Sequence, residues 1–251
     1  MINSGNIYTI AKKFWNQLGD QNERPPYDII RAVSLLLPID IISLSDLTLY
    51  KISKWLNARR VNLYIDANDR LLHGFIVIFR GTGLIFINGT DGEDERRYTI
   101  AHEISHFILD YHIPREKAVL KMGSNIIEVL DGLREATILE KVDSVINNVK
   151  VYPYTHLLEI EGDGSFQSIK VFNSENRADA LAVELLAPKA EVIKRVSLTY
   201  KEKLNFEEFR NVAHKILVTE YGLPIQIAKN YSNSLSYLTT KGKSFMNKLG
   251  F

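Results

Sequence analysis

The sequence predicts an α+β fold in which a small sheet packs among helices. Apolar residues alternate with period two only between Leu71 and Asn88, and a glycine turn interrupts that stretch. The segments before and after it repeat apolar residues every three or four positions, as amphipathic helices do. At 251 residues and 45% apolar content, the chain can bury a sizeable core in one large domain or two small ones.

The elements follow in order. Residues 6–19 place Ile7, Ile10, Ala11, Phe14, Trp15 and Leu18 on one side of a helix that closes at Gly19. A loop from Asp20 to Pro26 leads to a second helix, Tyr27 to Leu37, stopped by Pro38. Ile39 to Leu44 reads as a short strand. Ser45-Asp-Leu-Thr48 opens a helix through Trp55 and Leu56. A helix-turn-helix over 45–62 competes with a plain packing helix that feeds a strand. No second strongly basic helix follows to read a groove, which favours packing. Leu71 to Arg80 is a strand, Gly81-Thr-Gly83 a tight turn, and Leu84 to Asn88 the returning strand of a hairpin.

A polar loop from Gly89 to Asp94 offers Asp91 or Asp94 as a cap for the next helix. That helix runs from about Glu95 to Tyr111 and is bounded by Pro114. Residues 113–170 are less regular. They hold a helical stretch around 133–148, an aromatic run from Val151 to His156 and a turn at Glu161-Gly-Asp-Gly164. Ser174 to Ala187 is a clear helix ending at Pro188. Residues 189–251 read as helical, broken at Gly222-Leu-Pro224, with a lysine-rich solvated tail at 241–248. The organisation expected is a mostly helical segment 1–60, a central domain 61–190 with an insertion at about 113–165, and a helical segment 191–251.

Composition narrows the function. The chain has no cysteine, which excludes disulfides, thiol nucleophiles, Fe–S clusters and sulfur-bound zinc fingers. With 31 Lys+Arg against 30 Asp+Glu, a formal charge of +1 argues against a surface built to hold nucleic acid. The first residues, Met1 to Tyr8, lack a basic start followed by an apolar run, so no signal peptide is expected. The apolar runs Leu35–Ile42 and Phe75–Phe79 are too short to span a bilayer. These features predict a soluble cytoplasmic protein with no membrane partner.

Chemistry is concentrated in His102-Glu-Ile-Ser-His106, an H-E-x-x-H sequence on the helix after the hairpin. Histidines at i and i+4 share one helix face, so both rings can reach one metal ion. Glu103 lies about 100° round the helix from His102. It is poorly placed as a ligand but well placed to take a proton from water beside the metal. The neighbours Ile100, Ala101, Ile104, Phe107 and Ile108 are apolar, so the motif is partly buried, where two histidines and a glutamate without a ligand are costly.

A catalytic site of this kind needs a third protein ligand and an open position. His112, six residues beyond His106, has Leu109 where a turning glycine is needed, and in a continuing helix it points about 240° away. Asp110, one turn past His106, reads as a capping or surface acid able only to orient another group. Glu175 is the stronger candidate. It shares a helix face with Asp179 beside a stripe of Ala178, Leu181, Ala182, Leu185 and Leu186, whose small residues permit close helix approach. Such an acid pair suits one metal ligand and one carboxylate holding the far nitrogen of a ligand histidine.

Arg97-Tyr-Thr-Ile-Ala-His-Glu-Ile-Ser-His-Phe-Ile-Leu109, followed by Glu175-x-x-Ala-Asp-x-Leu-Ala-x-x-Leu-Leu-x-Pro188, resembles the ImmA/IrrE family of gluzincin-like metallopeptidases. The family motifs have the forms (F/Y)-T-(I/L)-A-H-E-x-x-H and E-x-x-A-(N/D)-x-(F/L)-A-x-x-L-L-x-P. The resemblance covers about 71–188 and implies a zincin-like core. It implies that His102, His106 and Glu175 bind the metal, that Glu103 is the general base and that Asp179 supports a ligand histidine. It also implies cleavage of a separate helix-turn-helix repressor. The chain departs from the pattern in its spacing, because Glu175 stands 69 positions after His106, farther than is usual in the family.

That insertion carries Tyr152, Tyr154 and His156 as possible donors to a developing oxyanion, and His156 is the one assigned a catalytic role. Histidine and carboxylate ligands suit Zn²⁺, with Mn²⁺ or Fe²⁺ as alternatives. The hairpin 72–88 can offer its edge to an extended peptide. The leading function is a site-specific metallo-endopeptidase acting on a repressor or similar regulator. The competing one is a metal-stabilised module that sequesters a repressor or toxin without cutting it. Direct nucleic-acid binding through 45–62 is the weakest reading.

Overall fold

A computed structural model describes residues 4–19, 24–61, 70–151, 169–199 and 204–240. The architecture is α+β. Helix α1 (Ser4–Asn16) and α2 (Ile29–Leu36) precede strand β1 (Ile39–Leu44) and α3 (Leu49–Ala58). The hairpin is β2 (Gly74–Phe79) and β3 (Thr82–Asn88). Then come α4 (Glu93–His106), a π-helical turn Phe107–His112, and α5 (Ile113–Met122). A 3-10 turn Ser124–Ile126, α6 (Ile127–Leu130) and α7 (Ile138–Ile146) follow. Helices α8 (Ile169–Leu186), α9 (Lys189–Thr199), α10 (Phe206–Thr219) and α11 (Ile225–Thr240) complete the order.

The three strands form a mixed sheet in the order β1-β3-β2, with β1 parallel and β2 antiparallel to β3. The central strand is buried on both faces, which explains its nearly unbroken apolar run. Alternation sorts its side chains. Ile76, Ile85 and Ile87 join the main core with Ile100 and Ile104 of α4, whereas Phe75, Val77, Leu84 and Phe86 pack against Leu49, Ile52 and Leu56 of α3. Residues 49–58 thus form a packing helix. The main core also takes Phe14 of α1, Leu181 and Leu185 of α8, and Leu217 and Leu235 of the last two helices. No helix among the described residues is long and apolar enough to cross a membrane.

Several boundaries differ from expectation. The hairpin turns at Arg80-Gly81, with Phe79 paired to Thr82 and both turn residues at positive φ (48° and 88°). That is the two-residue turn whose twist suits a hairpin, so Thr82 and Gly83 belong to the strand. Helix α3 starts at Leu49, because the Thr48 side chain caps it. Pro114 does not end the motif helix. The chain widens into the π turn, where the Ile113 N–H donates to Ile108 O five residues back, and Pro114 becomes an early residue of α5. Residues 113–146 are more helical than their weak periodicity suggests. Helix α8 begins five residues before Ser174, at Ile169, so Glu175 is no helix-terminal acid.

Candidate metal centre

The site is built between α4 and α8, which pack along one another. Ala178 and Ala182 are fully buried at the contact, so the helices approach closely. Tyr98, His102, His106 and Asp110 recur every four residues and form one stripe on α4 and the π turn that follows it. Arg97 braces the same helix from another side, donating to the carbonyls of Tyr221, Gly222 and Tyr27.

The two histidines turn their Nε2 atoms toward each other at 3.1 Å. Glu175 completes the convergence, with Oε2 at 3.2 Å from His102 Nε2 and Oε1 at 3.4 Å from His106 Nε2. Each opposite ring nitrogen meets a carboxylate. His102 Nδ1 lies 2.9 Å from Asp179 Oδ1, and His106 Nδ1 lies 3.0 Å from Asp110 Oδ2. Asp179 Oδ1 also accepts the Tyr98 hydroxyl at 2.7 Å, and Asp110 Oδ2 accepts the Ser174 hydroxyl at 2.7 Å.

These contacts test whether the residues suit a metal. A tetrahedral ion with bonds of about 2.0–2.2 Å needs ligand atoms roughly 3.3 Å apart, close to the spacing found. With both Nδ1 positions donating to carboxylates, two Nε2 lone pairs and an anionic oxygen point at one spot. A cation belongs there. A proton is the other positive charge that such a donor set attracts. Burial opposes the charged form of each ring, but hydrogen bonds donated to Asp179 and Glu175 push His102 up to about 10, and those donated to Asp110 and Glu175 push His106 up to about 9. Burial alone would raise Glu175, yet the two imidazoles hold it far below the usual carboxylate range. The donors form a His/His/Glu set able to coordinate a divalent ion.

Glu103 is buried beside this set, and its Oε2 has no hydrogen-bond partner among the described residues. Burial raises its pKa above the usual carboxylate range while His102 and His106 pull it part of the way back, so the carboxylate is a stronger base than a solvated one. Gly74, the first residue of edge strand β2, lies against it. A Cβ at Gly74 would collide with Thr99 Cγ2 and sit 2.8 Å from Glu103 Oε1. Only glycine lets the strand pass this close to the carboxylate.

The structure thus brings together His102, Glu103, His106, Glu175 and Asp179, all named from sequence. His156, with Tyr152 and Tyr154, lies outside the described residues. His112 is apart from the cluster, stacked on Phe107 at 5.8 Å between centroids and 3.6 Å from Glu116. Asp110 is no surface or capping acid, because it faces the buried His106 ring. Tyr98, Ser174 and Gly74 were not singled out from sequence. The four-residue recurrence from Tyr98 to Asp110 was the available signal for Tyr98 and Asp110.

Fold and site define a metallopeptidase of the zinc type. Residues 60–125 match the family model described as Peptidase_M78, the IrrE N-terminal-like domain, and the chain carries an IrrE/ImmA-like peptidase domain with a His102/His106/Glu175 triad. The matched stretch includes the hairpin and the motif helix, while Glu175 and Asp179 enter from α8 beyond it. No curated protein and no solved structure matches the chain.

Proposed function

We propose that this chain is a site-specific, metal-dependent endopeptidase whose substrate is a helix-turn-helix repressor or a similar regulatory protein, and that residues 61–190 form its catalytic unit. The carrying observation is the convergence of two Nε2 atoms and one carboxylate beside the unpartnered Oε2 of a buried glutamate. In this reading His102, His106 and Glu175 hold the ion, with Zn²⁺ the best fit to an N₂O donor set. When bound, the ion supplies Lewis acidity to the scissile carbonyl and acidifies water.

The remaining work falls to the chain's own residues. Glu103 Oε2 takes a proton from the attacking water and delivers it to the departing amine nitrogen. Asp179 holds the His102 ring through Nδ1, and Tyr98 holds Asp179. Strand β2 pairs only with β3 among the described residues, so its outer edge is available for an extended peptide. Such a peptide would run past Gly74 and therefore past Glu103. A cytoplasmic location follows from the expected substrate.

The test is a Glu103→Gln protein incubated with the candidate repressor and analysed by mass spectrometry. The variant should bind metal as the parent does and release no fragments. Cleavage by a metal-loaded Glu103→Gln protein would end this mechanism. An intact repressor released by the parent protein would instead support sequestration without proteolysis.

A further inference from the structure

We propose that Asp110, held by Ser174, is a positioning residue for His106, and that the pair ties the orientation of one ligand to the placement of another. The proposal rests on the metal-site reading and extends it to residues outside the ligand set.

Among the described residues the Asp110 carboxylate meets a buried imidazole and a serine hydroxyl and, at longer range, a guanidinium. Oδ2 accepts from His106 Nδ1 at 3.0 Å and from the Ser174 hydroxyl at 2.7 Å, while Oδ1 lies 3.8 Å from Arg177 Nη1. The His106 side chain is 4% exposed, so its Nδ1–H has no water to fall back on and its tautomer is set by this carboxylate. A capping role is excluded by position. Asp110 lies inside a continuous helical run, in the π turn between α4 and α5, where no run of free N–H groups awaits a cap.

Ser174 supplies the second strand of the argument. Serines inside helices usually return their hydroxyl to the carbonyl four residues back. Ser34, Ser105, Ser197, Ser234 and Ser236 do so in this protein. Ser174 donates instead across the helix pair to Asp110. It is also the residue immediately before Glu175. The turn of α8 that brings Glu175 to both Nε2 atoms therefore also brings the hydroxyl that aligns Asp110. His102 is held by a carboxylate from α8 directly, through Asp179. His106 is held by a carboxylate from its own helical run, and Ser174 is what registers that carboxylate to α8. The two arrangements preassemble both rings with Nε2 presented.

The experiment measures metal, not turnover. Parent protein, Asp110→Ala, Asp110→Asn, Ser174→Ala and Glu175→Ala are compared for Zn²⁺ affinity against a competing chelator and for the visible spectrum of the Co²⁺ form. Asp110→Ala should weaken Zn²⁺ binding about 10–100-fold and alter the Co²⁺ bands even at saturating metal. Asp110→Asn, which keeps an acceptor oxygen, should recover part of the loss. Ser174→Ala should show a smaller loss in the same direction. A folded Asp110→Ala protein with parental affinity and spectrum overturns the proposal, and if that variant does not fold, parental values in Asp110→Asn overturn it equally. Zn²⁺ bound by the parent, lost in Glu175→Ala and untouched in the Asp110 variants defeats this proposal alone. A parent that takes up no metal defeats the metal-site reading together with it.

Discussion

Helices α4 and α7 use their polar and apolar residues in opposite ways. On α4 the apolar residues Ile100, Ala101 and Ile104 are buried in the core, and the polar stripe of histidines is also covered, by α8. On α7 the apolar residues Ile138, Leu139, Val142, Val145 and Ile146 are between 50% and 80% exposed. Its inward side is polar. Ser144 is buried, and Glu140 receives Arg134 at 2.6 Å while closing a capping box with Thr137. Periodicity identifies a helix in both cases, but it does not say which face meets the protein. On α4 the polar groups face one another around a predicted cation, and burial is tolerable because each finds a partner. On α7 hydrogen bonds and an ion pair anchor the helix, and its apolar side is left outward.

This contrast can be broken at graded points. The largest effect is expected at Glu103, where Glu103→Gln should lower kcat by about 10²–10⁴-fold with metal content unchanged, read from fragment formation and metal analysis. Next is Phe107, which is fully buried under the sheet with Gly83 against its ring. Phe107→Ala should cost about 3–5 kcal/mol in urea unfolding. Gly74→Ala should follow, at about 1–3 kcal/mol, because the new methyl meets Thr99 and Glu103. It should also reduce cleavage beyond what lost stability explains, since the strand is pushed off the carboxylate. The smallest effect belongs to α7. Val145→Ser removes an 80% exposed apolar group and should shift stability by no more than about 0.5 kcal/mol. A loss near that of Phe107→Ala would show that α7 is covered in solution and would erase the contrast.

Legibility from the sequence followed the range of the interactions. The hairpin, the motif helix and the α8 helix were readable because side-chain period and turn residues are local properties. His102, Glu103 and His106 were readable for the same reason, since they lie within five residues on one helix. Glu175 and Asp179 were readable only through their own local pattern and the family resemblance. Asp110 reads as a surface or capping acid in the sequence because its partners, the buried His106 ring and Ser174, are defined by how α8 lies against α4. Pro114 reads as a stop because proline opposes an ordinary helical turn, and the π turn that admits it has no simple sequence rule.

The amino-acid order by itself determined the α+β class, the strand alternation and the two-histidine, one-glutamate motif, because each depends on spacing along a single element. Only tertiary structure decided that Glu175 reaches both Nε2 atoms, that Asp179 and Asp110 occupy the two Nδ1 positions, and that Gly74 meets Glu103. Those are contacts between elements far apart in the chain, set by the close packing of α4 on α8 and on the sheet, and no local period encodes them.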